Sequence, residues 1–124
     1  MNNKGKGVDG EQAVMEYLMK NGYLLLERNY KEKCGEIDLI SSKDGVIVFT
    51  EVKTRYDNNF GTPVESVTPE KIRKIIKTAE LYMIKKKKYG VDVRFDVAVV
   101  YSGDLEEYIE NAFTRNDSGR KRRW

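Results

Sequence analysis

Histidine is absent from this 124-residue chain, and cysteine occurs once, as Cys34. Without histidine the chain cannot form a Ser-His-Asp or Cys-His catalytic group or a histidine-ligated zinc site. A single cysteine excludes an intramolecular disulfide and a multi-cysteine metal site, and it fits a reducing cytoplasm, where we expect the protein to act. We interpret Cys34 as a small buried apolar residue. Any enzyme chemistry must therefore come from carboxylates, lysine and a hard cation.

Long apolar runs are also missing. No segment approaches the ~18 consecutive apolar residues of a membrane span, and the first residues lack the apolar run that is typical of a secretory signal. Apolar residues make up 40% of the chain and charged residues 35%, which is enough for one folded core. We predict a single domain over residues 1–114, a basic flexible tail over residues 115–124, and no membrane association.

Positive charge is concentrated in two places. The net charge is +3, from 23 basic and 20 acidic residues. Residues 71–88 hold eight basic side chains against Glu80 alone, and residues 115–124 hold five against Asp117. This distribution indicates either a solvated helix face with a frayed terminus or a cationic surface for nucleic acid.

Hydrophobic spacing predicts the order helix, three strands, helix, strand, which is an α/β fold with a mixed central sheet flanked by helices. We expect a helix over residues 9–20 with Asp9 as its cap, and a second helix opening at Thr68-Pro69-Glu70 and ending at Gly90. The expected strands cover residues 23–30, 35–42, 46–55 and 93–101. Residues 56–67 are predicted to form a loop that is long enough to be functional or mobile, and residues 105–113 a weaker element that reads as a short helix.

An Asp-Gly pair at positions 44 and 45 predicts a two-residue hairpin loop, so that the numbers of paired residues sum to 89. In that register Asp38 lies opposite Glu51, and Glu36 lies opposite Lys53. Glu51 and Lys53 are two residues apart and share a face. The hairpin therefore gathers three acids and one lysine on neighbouring strands.

Such a cluster favours metal-assisted phosphodiester hydrolysis. Opposed carboxylates repel each other in a half-buried site, and a divalent cation removes that cost. Oxygen ligands suit Mg²⁺ or Mn²⁺, and a nearby lysine can orient water and neutralise charge on a phosphate. A structural alternative stays open, in which Lys53 pairs with Glu36 or Asp38 without metal. Glu11 in the first helix is either a further site carboxylate or an acid stabilised by the helix dipole.

The segments Gly35-Glu36-Ile37-Asp38-Leu39-Ile40 and Phe49-Thr50-Glu51-Val52-Lys53-Thr54-Arg55 resemble the bacterial YraN-like family. Further matches are Gly10-Glu11-x-Ala13, Gly22-Tyr23, Arg28-Asn29, Gly61-x-Pro63, Lys71, Ala79, Arg94-Phe95-Asp96-Val97 and Asn111-Ala112-Phe113. The resemblance covers about residues 5–114. It implies a restriction-endonuclease-like αβββαβ core with a PD-(D/E)xK-type site and a distant similarity to archaeal Holliday junction resolvases.

Carried over by position, the resemblance assigns Asp38 and Glu51 as metal ligands and Lys53 as the catalytic lysine. It assigns Glu11 to the helix carboxylate of the resolvase-like branch and the backbone carbonyl of Val52 to a further metal ligand. Because resolvase-like relatives tend to dimerise, the resemblance also suggests a homodimer.

Two functions therefore stand as hypotheses. The first is a Mg²⁺- or Mn²⁺-dependent nuclease that acts on DNA rather than RNA, on branched or single-stranded substrates, with Arg55, Lys71 and Lys74 contacting phosphates. The second is a non-catalytic nucleic-acid-binding module whose acids form a structural network. Nothing specific in the sequence favours a third reading, a protein-interaction domain.

Overall fold

The computed structural model describes residues 5–55 and 67–115, with side chains from Gly10 onward in the first of these ranges. The helices are α1 (Gly5–Lys20) and α2 (Pro69–Lys85). The strands are β1 (Leu24–Glu32), β2 (Gly35–Lys43), β3 (Val46–Arg55), β4 (Asp92–Tyr101) and β5 (Asp104–Phe113). The loop predicted over residues 56–67, apart from Val67, and the predicted tail, apart from Arg115, lie outside the described residues.

The strands form one mixed sheet in the order β1-β2-β3-β4-β5. β3 and β4 run parallel, with α2 between them in the chain, and the three other neighbouring pairs are antiparallel. The predicted α/β fold, a mixed sheet flanked by helices, is thereby confirmed. Neither helix of the described part is long and apolar enough to cross a membrane.

Each helix covers one face of the sheet. The buried apolar stripe of α2 packs with Phe49 of β3, and that of α1 packs with Val48 of the same strand. Consecutive strand residues point to opposite faces, so Val48 and Phe49 mark the two layers. The stripe predicted for α2 is confirmed, and its members are Ile72, Ile75, Ile76, Ala79 and Met83.

The hairpin between β2 and β3 has the predicted register. Asp44 and Gly45 have φ values of 53° and 80°, as a type I′ turn requires. The pairs run from Lys43 with Val46 to Leu39 with Thr50, and each sums to 89. The ladder ends there, one residue before the predicted pair of Asp38 and Glu51. Beyond this point Glu36 pairs with Lys31 of β1.

Residues 104–113 form a strand, so the expectation of a short helix at 105–113 was wrong. The core extends from αβββαβ to αβββαββ, with β5 antiparallel to β4. Two register shifts interrupt this pairing, one between Phe95 and Val97 and one between Val99 and Val100 of β4. Each shift changes the phase of the side chains along β5. The residues of β5 that pack in the core lie on both faces of the sheet, and their spacing in the sequence therefore resembles that of a helix. Leu105 and Tyr108 pack on the α1 side, and Ile109, Ala112 and Phe113 pack on the α2 side.

Two predicted helix ends also differ from the structure. α1 begins at Gly5, so Asp9 lies within the helix rather than capping it. α2 ends at Lys85 rather than near Gly90. Lys87 adopts φ 56°, and the Lys88 amide donates to the carbonyl of Met83 at 2.9 Å. These features form a Schellman-type ending, a motif in which glycine is the usual residue at the position of Lys87.

A buried carboxylate joins β4 to β5. Asp96 is fully buried, and its oxygens accept hydrogen bonds from Arg94 (2.8 and 2.9 Å), from the Tyr108 hydroxyl (2.7 Å) and from the Asn111 amide (2.9 Å). Arg94 also donates to the Tyr23 hydroxyl. Because this buried charge is paired and hydrogen-bonded, the network is interpreted as structural, and removal of one partner would leave an uncompensated charge.

Candidate functional site

A cleft of about 160 Å³ opens where β2 and β3 stop pairing, under the first turns of α2. We call it the acid cleft. Its lining consists of Gly35, Glu36, Asp38, Glu51, Lys71, Lys74 and Ile75. Three acids and two lysines therefore face one small space, and four of the predicted site residues are among them.

Asp38 bridges β2 and β3 in the lining of the cleft. Its Oδ2 accepts a hydrogen bond of 2.7 Å from the amide of Val52, so a side chain takes over where the backbone ladder ends. Burial first, and then the negative charge of Glu51, raise the pKa of Asp38 to about 7. The Val52 amide acts in the opposite direction, and the charge of Glu11 adds to the rise. Asp38 and Glu51 are thus close enough to resist simultaneous ionisation.

Lys71 supplies the positive charge beside these carboxylates. Its Nζ lies 2.9 Å from Oε2 of Glu51, whose side chain is only 8% exposed. The hydrogen bond to Glu51 raises the pKa of Lys71. Thr68 caps α2 and accepts the Lys71 amide at 3.2 Å, which fixes Lys71 in the first turn above the cleft. Lys74, one turn further on, pairs with the exposed Glu70 at 3.7 Å.

The other predicted site residues stand outside the described lining of the cleft. Glu11 accepts a hydrogen bond of 3.3 Å from Arg28, although its charge reaches Asp38. Lys53 is half-buried on β3, two residues beyond Glu51, and takes part in none of the ion pairs among the described residues. Arg55 pairs with Glu106 of β5.

Two glycines let the helices approach the sheet next to the acids. A Cβ on Gly35 would lie 2.8 Å from the Thr78 hydroxyl, which brings α2 against the start of β2. A Cβ on Gly10 would lie 2.9 Å from a methyl group of Val100, which brings α1 against β4 just before Glu11. These close approaches help to set the positions of Glu11 and the α2 lysines.

Carboxylate oxygens of the acid cleft are the side-chain groups that could bind a metal ion, but few of them lie close together. Within residues 5–55 and 67–115, no group of three or more His, Cys, Asp or Glu side chains is arranged to hold a metal ion. Asp38 and Glu51 are the adjacent pair, and the backbone of Val52 lies beside them. Glu36 lines the same cleft without completing a three-carboxylate group.

Sequence reasoning missed the contact between Lys71 and Glu51. The Thr68-Pro69 start signal placed Lys71 in the first turn of a helix, and this is confirmed. The side chain that Lys71 meets depends on how α2 docks on β2, for which the only local signal was the glycine at position 35.

Comparison with known proteins agrees with the resemblance at the level of the family. The uncharacterised protein family UPF0102 matches residues 10–100. A UPF0102 protein of Persephonella marina is 43% identical over 108 residues, which cover 87% of this chain and 92% of the relative. A UPF0102 protein of Dictyoglomus turgidum is 45% identical over 118 residues, which cover 91% of this chain and 100% of the relative. The chain therefore belongs to the UPF0102 family.

Proposed function

We propose that this protein is a divalent-metal-dependent nuclease of the PD-(D/E)xK type, distantly related to Holliday junction resolvases, that hydrolyses phosphodiester bonds in DNA. One observation carries the proposal. Asp38 and Glu51, from adjacent strands, meet in an open cleft that lysines border, where burial and then the negative charge of Glu51 raise the pKa of Asp38 to about 7. Closely spaced carboxylates with a perturbed pKa in a cleft are typical of functional sites.

The donor set fits Mg²⁺ or Mn²⁺. Mg²⁺ commonly binds one or two carboxylates, keeps several waters and takes further ligands from substrate phosphates. Asp38 and Glu51 would supply the carboxylates, the Val52 carbonyl a third oxygen, and Glu11 a fourth contact, directly or through water. Such a cation activates a water molecule and polarises the phosphoryl oxygen.

Basic side chains supply the other roles in this proposal, at the attacking water and at the phosphates. Lys53 lies on the same strand and face as Glu51, and it orients the attacking water and offsets charge that develops on the phosphate. Lys71 and Lys74 at the mouth of the cleft, with Arg55 at the end of β3, contact backbone phosphates. Contacts of this kind position a substrate without reading its sequence.

The test is cleavage of labelled linear, branched and single-stranded DNA with Mg²⁺ or Mn²⁺. We expect Lys53→Ala to reduce the rate by about 10²–10⁴-fold, with an unchanged melting temperature because Lys53 has no ion-pair partner among the described residues. Lys77→Ala, an exposed lysine of α2, is the matched control. Undiminished cleavage by Lys53→Ala contradicts the role of Lys53, and no cleavage of any substrate by the unmodified protein contradicts the nuclease.

A non-catalytic nucleic-acid-binding module is the second candidate. The ion pair between Lys71 and Glu51 favours it, since this pair neutralises one acid without a metal. This candidate predicts binding of DNA that weakens steeply with salt, no metal-dependent cleavage, and no binding of Mn²⁺ in a calorimetric titration. The nuclease predicts Mn²⁺ binding that Asp38→Asn abolishes.

A further inference from the structure

Lys71 is unusual among the charged groups of the acid cleft, because it comes from a helix while the acid that it contacts comes from the sheet. Glu51 is almost fully buried, whereas the Lys71 side chain is 44% exposed. The carboxylate is therefore held in place and the ammonium is free to rotate away from it. A long lysine stem with an exposed head allows such movement at little cost.

The contact also uses an oxygen that a cation would need. Nζ of Lys71 lies 2.9 Å from Oε2 of Glu51, close enough that a dication bound to that oxygen would repel the ammonium. The Lys71 ammonium and a dication would thus compete for the buried carboxylate of Glu51. Lys74 differs, because it lines the same cleft but pairs with the exposed Glu70 at 3.7 Å.

The first turn of α2 would favour the phosphate that the released ammonium meets. Lys71 lies three residues after the Thr68 cap, at the end of the helix where the helix dipole favours anions. A phosphate at the mouth of the cleft would meet both this helix end and the lysine.

We infer that Lys71 is a displaceable counter-ion, which competes with the divalent cation for Glu51 and, once displaced, binds a phosphate of the substrate. This inference rests on the proposed function and adds to it an exchange of charges: when the cation occupies the carboxylates, Lys71 leaves them. Lys71 is a positioning residue in this scheme, and Lys53 keeps the role at the attacking water.

Calorimetric titration with Mn²⁺ tests the exchange without any measurement of activity. Lys71→Met keeps most of the aliphatic stem and removes the charge, so Mn²⁺ should bind about three- to fivefold more tightly, which corresponds to the loss of one partly exposed ion pair. Lys71→Arg keeps the charge and should bind Mn²⁺ as the unmodified protein does. Lys74→Met, the control for a general change in charge, should change the affinity less than Lys71→Met does.

A second readout follows the phosphate. In Mn²⁺, Lys71→Met should bind a short single-stranded DNA more weakly than the unmodified protein, although it binds the metal more tightly. Unchanged or weaker Mn²⁺ binding by Lys71→Met, an equal gain for Lys74→Met, or unchanged DNA binding by Lys71→Met overturns the inference and leaves the nuclease proposal in place. No Mn²⁺ binding by either the unmodified protein or Lys71→Met overturns both.

Discussion

Replacing Asp38 with asparagine should stabilise the protein at neutral and alkaline pH, because it removes a charge that the fold disfavours. Burial and the charge of Glu51 raise the pKa of Asp38 from 3.8 to about 7. The folded state therefore binds this proton more tightly than the unfolded state does. The contribution of this group to stability is therefore greatest below pH 3.8 and is lost as the pH rises from 3.8 to about 7.

The size of the effect follows from the two pKa values. Each pKa unit corresponds to about 1.4 kcal/mol, so the ionised carboxylate costs up to about 4 kcal/mol above pH 7. Asparagine keeps an oxygen that can accept the Val52 amide, which preserves the strand contact. We therefore expect Asp38→Asn to raise the free energy of unfolding by about 2–4 kcal/mol at pH 8 without added metal. The gain should shrink as the pH approaches 4.

Urea unfolding at pH 8 and at pH 4.5, with a chelator present, measures the difference between variant and parent at each pH. Comparing differences cancels the titration of every group that does not interact with Asp38. Asp92→Asn, at the exposed start of β4, is the matched control and should shift stability little at either pH. An Asp38→Asn variant that is no more stable than the parent at pH 8, or whose gain is the same at both pH values, would refute this account of the cleft.

Two further predictions concern the packing of α2 on β2 and the hydrogen-bond network around Asp96. Gly35→Ala should destabilise the protein by about 1–3 kcal/mol in urea unfolding, because its Cβ would lie 2.8 Å from the Thr78 hydroxyl and would push α2 off β2; a loss below the error of the measurement would show that the close approach is unimportant. Asp96→Asn should cost about 3–5 kcal/mol, because it leaves the guanidinium of Arg94 without its buried partner. A melting temperature within one or two degrees of the parent would contradict the importance of that network.

The hairpin shows what local sequence can determine. An Asp-Gly loop with two positive φ values permits one register, and the five pairs from Lys43–Val46 to Leu39–Thr50 follow it. The same arithmetic cannot predict where the ladder ends, because the end depends on the Asp38 side chain replacing a backbone partner at Val52. The sequence could therefore predict that Asp38 and Glu51 lie close together, but it could not predict the hydrogen bond from Val52 that positions Asp38.

Helical spacing misled the prediction for β5 for a physical reason. Both faces of the sheet are covered, so Leu105 and Tyr108 pack on the α1 side and Ile109 packs on the α2 side. The resulting intervals of three and one are also typical of a helix, and the register shifts in the pairing with β4 leave no clear signal in the segment itself. The contact of Lys71 with Glu51 was unpredictable for a similar reason. The Thr68 cap predicts the helix that carries Lys71, but the contact itself depends on how α2 docks on β2.

The central claim is that Asp38 and Glu51 form one site for a divalent cation. Anomalous diffraction from crystals soaked in Mn²⁺ tests it most directly. The account predicts a peak within about 2.5 Å of oxygens from both carboxylates, accompanied by movement of Lys71 away from Glu51. A fully soaked crystal with no peak in the acid cleft, and with Lys71 still bound to Glu51, would contradict it.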